Sequence, residues 1–108
     1  MGLKMRCRKK GEVPILAPVG ELTGENVSKL MAKLDYYCKN TFGTIVVDLS
    51  RTFFIDSHGL GAFIYSWRLL EEENRRLVFL KPHSFIKGMF EGTNLDKIFK
   101  ILESEEDI

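Results

Sequence analysis

Short apolar runs alternate with helix-length amphipathic segments along this chain, and that alternation limits its folds more than any other feature. Ile45-Val46-Val47 and Leu77 to Leu80 are continuous apolar runs, as expected of strands covered on both faces. Elsewhere the apolar residues switch to helical spacing. Val27, Leu30, Met31, Leu34 and Cys38 form one stripe, Leu60, Phe63, Ile64, Trp67 and Leu70 a second, and Phe85, Ile86, Met89 and Phe90 a shorter third. Strands separated by helices join through right-handed crossovers, which line the strands up in parallel with helices packed against them.

The N-terminal part has a different pattern. Leu3 to Lys10 alternates apolar and basic residues, Gly11-Glu12 makes a short connection, and Val13 to Val19 continues as a second extended run, so a β-hairpin is expected. Pro14 and Pro18 argue against an interior place for that second strand, because each removes a ladder donor. The first helix is expected from Gly24 to Lys39 with Thr23 or Asn26 at its start, and a central strand within Phe42 to Leu49. A connection over Ser50 to Ile55 leads to a second helix starting near Ser57, Pro82 ends the next strand, and a last strand falls within Lys97 to Leu102. The order ββαβαβαβ predicts an α/β fold: a mostly parallel sheet of four or five strands with an N-terminal β-hairpin, flanked by helices. A length of 108 residues, 44% of them apolar, suits a single domain over 1–108 with one real core.

Charge narrows the function classes. Sixteen Lys and Arg against fifteen Asp and Glu leave a formal charge of +1, too little to gather nucleic acid or an anionic membrane. The basic residues near the start, Lys4, Arg6, Arg8, Lys9 and Lys10, mostly alternate with Leu3, Met5 and Cys7 and read as the wet face of a strand. No apolar run approaches the roughly 20 residues of a membrane-spanning helix. Cys7 and Cys38 offer neither a disulfide framework nor a CxxC ligand pair, and no secretory leader precedes them, so reduced thiols and a cytoplasmic location are expected.

The most informative segment is Asp48-Leu49-Ser50-Arg51-Thr52-Phe53-Phe54-Ile55-Asp56-Ser57-His58-Gly59-Leu60-Gly61, which runs from a strand end to a helix start. That edge of an α/β sheet is where function usually sits. Ser57 stands where free backbone N–H groups and the positive end of a helix dipole would meet an added phosphate. Gly59 and Gly61 would let a partner's backbone approach. The residue chemistry alone leaves a second reading open, in which Asp56 or Ser57 simply caps a helix. Phe53, Phe54 and Phe90 stand at spacings expected of core residues; exposed, they would mark a partner surface.

Asp56-Ser57-His58-Gly59-Leu60-Gly61, after a strand ending Asp48-Leu49-Ser50, resembles the Asp-Ser-Ser/Thr-Gly-Leu-Gly signature of bacterial STAS domain anti-sigma factor antagonists. Val19-Gly20-Glu21-Leu22-Thr23 is similar to that family's Gly-Glu-Leu-Asp segment before the first helix, so the resemblance covers nearly the whole chain. It implies a non-enzymatic switch protein without metal or cofactor. Ser57 would be the phosphoryl acceptor, and Asp56, His58, Gly59, Leu60, Gly61 and Glu21 the partner surface. The implied partners are an anti-sigma factor that is also a serine kinase, bound by the unphosphorylated form, and a metal-dependent serine phosphatase that resets the cycle. ATP would belong to the kinase.

Three places depart from the family pattern: His58 replaces the usual Ser or Thr, Asn94 stands in Thr93-Asn94-Leu95 where many relatives carry Gly, and the chain stops where many members begin a last helix. A cationic His58 could pair with a phosphate on Ser57, and the acidic end Glu103 to Asp107 is expected to fray or form one turn. Competing chemistries fail on spacing. Ser57 and His58 are adjacent and would diverge on a helix, so they make no hydrolase pair. Asp48 and Lys81-Pro82 are one helix and one strand too close for a receiver, and no P-loop is present. The remaining alternatives are a STAS subunit of a larger signalling assembly and an anion- or nucleotide-binding STAS module.

Overall fold

The computed structural model describes residues 3–108. Strand β1 (Lys4–Lys10) turns through Gly11, at φ +59, into β2 (Val13–Leu22), and helix α1 (Val27–Asn40) follows. Then come β3 (Ile45–Asp48), β4 (Thr52–Ile55), α2 (Ser57–Glu72), β5 (Leu77–Leu80), α3 (Ser84–Gly92) and β6 (Lys100–Leu102). Short 3-10 turns cover Leu95–Lys97 and Glu105–Asp107. The main path of the sheet is β1-β2-β3-β5-β6, antiparallel between β1 and β2 and parallel elsewhere, and β4 adds a sixth strand by pairing with β2.

The sixth strand corrects the sequence reading, which treated Ser50 to Ile55 as a connection. Thr52 and Ile55 are fully buried and anchor the segment, and the Thr52 hydroxyl donates to the Pro18 carbonyl at 2.8 Å. β2 is long enough to serve two neighbours in turn: Ile15 and Leu16 lie beside β3, and Gly20, Glu21 and Leu22 beside β4. The register shifts between Gly20 and Glu21, where Gly20 takes φ +117. This also resolves the proline tension. β2 is an interior strand, but Pro14 and Pro18 flank the two residues that pair with β3 and precede those that pair with β4.

Alternation along β3 and β5 separates two apolar layers. Ile45, Val47, Leu77 and Phe79 face the helices, and Phe79 meets Phe63, Phe90 and Phe99 with ring centroids 4.9, 5.5 and 4.6 Å away. The buried apolar residues of all three helices belong to this layer. On the opposite face Ile15, Val46, Val78 and Leu80 form a smaller layer, flanked by Val13, Leu102 and Ile108. No helix contributes to it. The C-terminal residues take that place as a single turn, in line with the expected one-turn end.

Helix α1 begins at Val27, three residues later than expected from Gly24. Asn26 does not cap it with its side chain; its Oδ1 accepts from Thr23 N at 3.0 Å and its Nδ2 donates to the Glu21 carbonyl, closing the turn before the helix. Asn94 takes φ +61, a left-handed turn geometry that asparagine tolerates better than most residues. Phe90 is core, as its spacing suggested, whereas Phe53 and Phe54 are 59% and 38% exposed.

Arg8 closes the second face. Its guanidinium bridges Asp48, at 2.9 Å, and the Glu105 carboxylate, while Lys10 Nζ donates to the Glu105 carbonyl. Burial pushes the Asp48 carboxyl up, but bonds from Ser50 and the charge and bond of Arg8 outweigh it and hold the pKa below the ordinary value. The bond from Arg8 does the same for Glu105. Both carboxyls are depressed in the folded state, so their contribution is complete above the ordinary values of 4.5 and 3.8 and is lost as pH falls below them. Thermal melts are therefore expected to fall in Tm as pH drops from about 5 to about 3, and Arg8→Met to flatten that dependence. At neutral pH the same substitution should cost about 1–2 kcal/mol in urea unfolding, because it leaves Asp48 largely buried without its cation.

Candidate functional site

The β2–α1 turn and the start of α2 meet at the carboxyl ends of β2 and β4, because those two strands run parallel and side by side. Asp56 N donates to the Leu22 carbonyl at 3.0 Å, carrying the pairing one residue past β4. Its side chain then turns to the helix. Oδ1 accepts from His58 N at 2.9 Å and Gly59 N at 3.1 Å, and Oδ2 accepts from Gly24 N at 3.1 Å. One carboxylate thus caps α2 and ties it to the turn before α1. Desolvation pushes this carboxyl up, but the N–H bonds from Gly59, Gly24 and His58 together prevail, and its pKa lies below the ordinary aspartate value.

These bonds show that Asp56 caps the helix. They also change the expectation for Ser57. The N–H groups of His58 and Gly59, which a phosphate could have used, are already held by the neighbouring carboxylate. Ser57 is exposed as the first residue of the 16-residue helix, one position beyond that charge. The His58 imidazole has Nδ1 3.5 Å from Asp56 Oδ2 and its ring against Gly24.

The two glycines divide. Gly59 was expected to offer room to a partner, but it is buried, and a Cβ there would lie 2.6 Å from Ile55 Cγ2 and 3.2 Å from the Leu22 carbonyl oxygen. Its role is to let α2 pack against the ends of β2 and β4. Gly61 is exposed, with open space where a Cβ would stand, and Leu60 is half-buried against the main core. Glu21 is exposed on β2, opposite Phe54 of β4.

Phe53 and Phe54, expected in the core from their spacing, instead form an aromatic surface beside this site, which Phe85 extends. Phe54 stacks with Phe85 at 6.1 Å between centroids, Phe53 lies 5.7 Å from the His83 ring, and Phe85 is 54% exposed. Such clustered exposed aromatics are uncommon on a free surface and typical of interaction sites. The available signal was the Phe53-Phe54 doublet in a segment with room for just four strand residues, two of which, Thr52 and Ile55, take the buried positions.

Urea unfolding should separate the glycines. Gly59→Ala is expected to destabilise by about 1–3 kcal/mol through overpacking, whereas Gly61→Ala should stabilise by roughly 0.5–1 kcal/mol through helix propensity. Equal effects would contradict the assigned packing.

Among the described residues, no helix is long and apolar enough to cross a membrane, and no group of His, Cys, Asp and Glu could hold a metal ion. Solved structures share the fold. The Thermotoga maritima protein TM1081, described as an anti-sigma factor antagonist, superposes with a TM-score of 0.88 at 24% identity over 95% of this chain and 89% of its own. The Bacillus cell fate determinant SpoIIAA in its phosphorylated form gives 0.75 at 24% identity, over 96% and 95%. An anti-sigma factor antagonist from Mycobacterium paratuberculosis gives 0.82 at 20% identity, over 98% and 90%. The STAS domain family profile matches residues 4–108, and the chain therefore belongs to the STAS domain family.

Proposed function

We propose that this protein is an anti-sigma factor antagonist whose binding is switched by phosphorylation of Ser57. The observation that carries the reading is the exposed Ser57 hydroxyl at the first position of α2, beside a carboxylate committed to the helix cap. The unphosphorylated protein binds an anti-sigma factor that is also a serine kinase, and the sigma factor is released. The kinase brings ATP and transfers its terminal phosphoryl group to the serine oxygen. The phosphate then carries about −1.5 to −2 charges. It stands next to the Asp56 carboxylate, which already holds the His58 and Gly59 N–H groups, so the helix start compensates it only in part. An interface formed over this surface would have to desolvate that charge, and the complex dissociates. A serine phosphatase restores the first state.

The partner surface of this reading consists of Ser57, His58 and Gly61 around the helix start, with Glu21, Phe53, Phe54 and Phe85 alongside. Asp56 and Gly59 act beneath it, by holding the backbone.

The test is to incubate the purified protein with ATP and the candidate serine kinase from the same organism, and to locate added phosphate by mass spectrometry. Phosphate is expected on Ser57 and absent in Ser57→Ala. Kinase affinity should fall about tenfold or more in Ser57→Asp, roughly 1.4 kcal/mol, and by a similar factor in Phe53→Ala/Phe85→Ala. A folded protein that neither binds that kinase nor gains phosphate sinks the reading for that partner. Asp56→Ala is a poor substitute, because losing the cap disturbs the helix start whatever the partner contacts.

A further inference from the structure

At the other side of the molecule, β1 ends the sheet. It pairs with β2 alone, so among the described residues the outer edge of Lys4–Lys10 has no strand beside it. Edges of this kind accept an added extended chain, with main-chain bonds supplying affinity and side-chain pockets supplying specificity. A pocket is present here. Leu3 and Met5 from the strand side and Ala32 and Tyr36 from α1 line an open trench of about 540 Å³, rimmed by Lys29 and Lys33. Tyr36 is 58% exposed, and Lys29 is fixed by a 3.1 Å bond from Nζ to the Leu3 carbonyl. Strand alternation sends Met5 towards the helices and leaves Lys4 and Arg6 exposed on the opposite face.

We propose that the β1 edge and its trench form a docking site for an extended segment of a protein partner in which acidic and apolar residues alternate. Added beside β1, such a segment directs every second side chain into the trench next to Ala32 and Tyr36, and those between towards Lys4 and Arg6. Charge selects this occupant. Five of the seven β1 residues are Lys or Arg, so a second copy of the same edge would set like charges opposite one another. A small apolar molecule would leave the edge N–H groups and the cations unused. The chain already displays the preference internally, because Arg8 bonds the Glu105 carboxylate. The inference is independent of Ser57.

The probe is the octapeptide acetyl-Glu-Val-Asp-Leu-Glu-Val-Asp-Leu-amide, titrated into the nitrogen-15-labelled full chain. Saturable binding is expected below about 1 mM, with amide shifts centred on Lys4–Lys10 and on residues 29–36. Ala32→Arg, which fills the trench from an exposed helix position, should weaken it about tenfold or more, Arg6→Glu should also weaken it, and a peptide with Lys at the acidic positions should not bind. Circular dichroism establishes that each variant is folded, and Arg6→Glu carries the test if Ala32→Arg is not. Absence of saturable binding, shifts centred on Ser57 or Phe53 instead, or binding insensitive to the folded variants would overturn the proposal.

Discussion

β2 changes neighbour half-way along its length, and the rest of the molecule is arranged around that change. Its first half lies against β3 and completes the buried sheet; its second half lies against β4. A strand that kept one partner throughout would leave Thr52–Ile55 as a loop and α2 without a fixed origin. Because β4 is parallel to the end of β2, the turn after β2 and the cap of α2 arrive together, close enough for one carboxylate to bond both. Gly59 is the steric counterpart of the same constraint, since any side chain there would push α2 off Ile55 and Leu22.

That geometry divides a short motif between structural and surface roles. Asp56 and Gly59 are consumed in holding the backbone, while Ser57, His58 and Gly61 face solvent. A modification at Ser57 would thus alter the surface without breaking the bonds that define the helix start. The carboxylate that secures the helix is also the charge that a phosphate on Ser57 would face.

A net charge of +1 conceals a strong segregation. Five of the sixteen Lys and Arg lie on β1, and part of that charge is drawn inward over the second face, where Arg8 links Asp48 to Glu105. The acidic tail and the basic strand together seal an apolar layer to which no helix contributes. Lys4 and Arg6, beyond the reach of this network, remain exposed at the edge of the sheet.

The sequence by itself determined the order of the elements apart from β4, because elsewhere the apolar period changes from strand to helix as the structure does, and the helix stripes at Leu30, Phe63 and Phe90 are the residues found buried. It also placed Ser57 at a helix start, since a capping residue, glycines and an apolar stripe are local signals. Only the tertiary structure decided that Thr52–Ile55 is a strand, that β2 is interior despite two prolines, that Gly59 faces inward while Gly61 faces out, and that Phe53 and Phe54 are exposed. Each of those depends on which distant segment lies alongside. Periodicity reports that a residue has a buried face available, but the neighbour that fills or leaves that face is fixed by pairing between strands far apart in the chain.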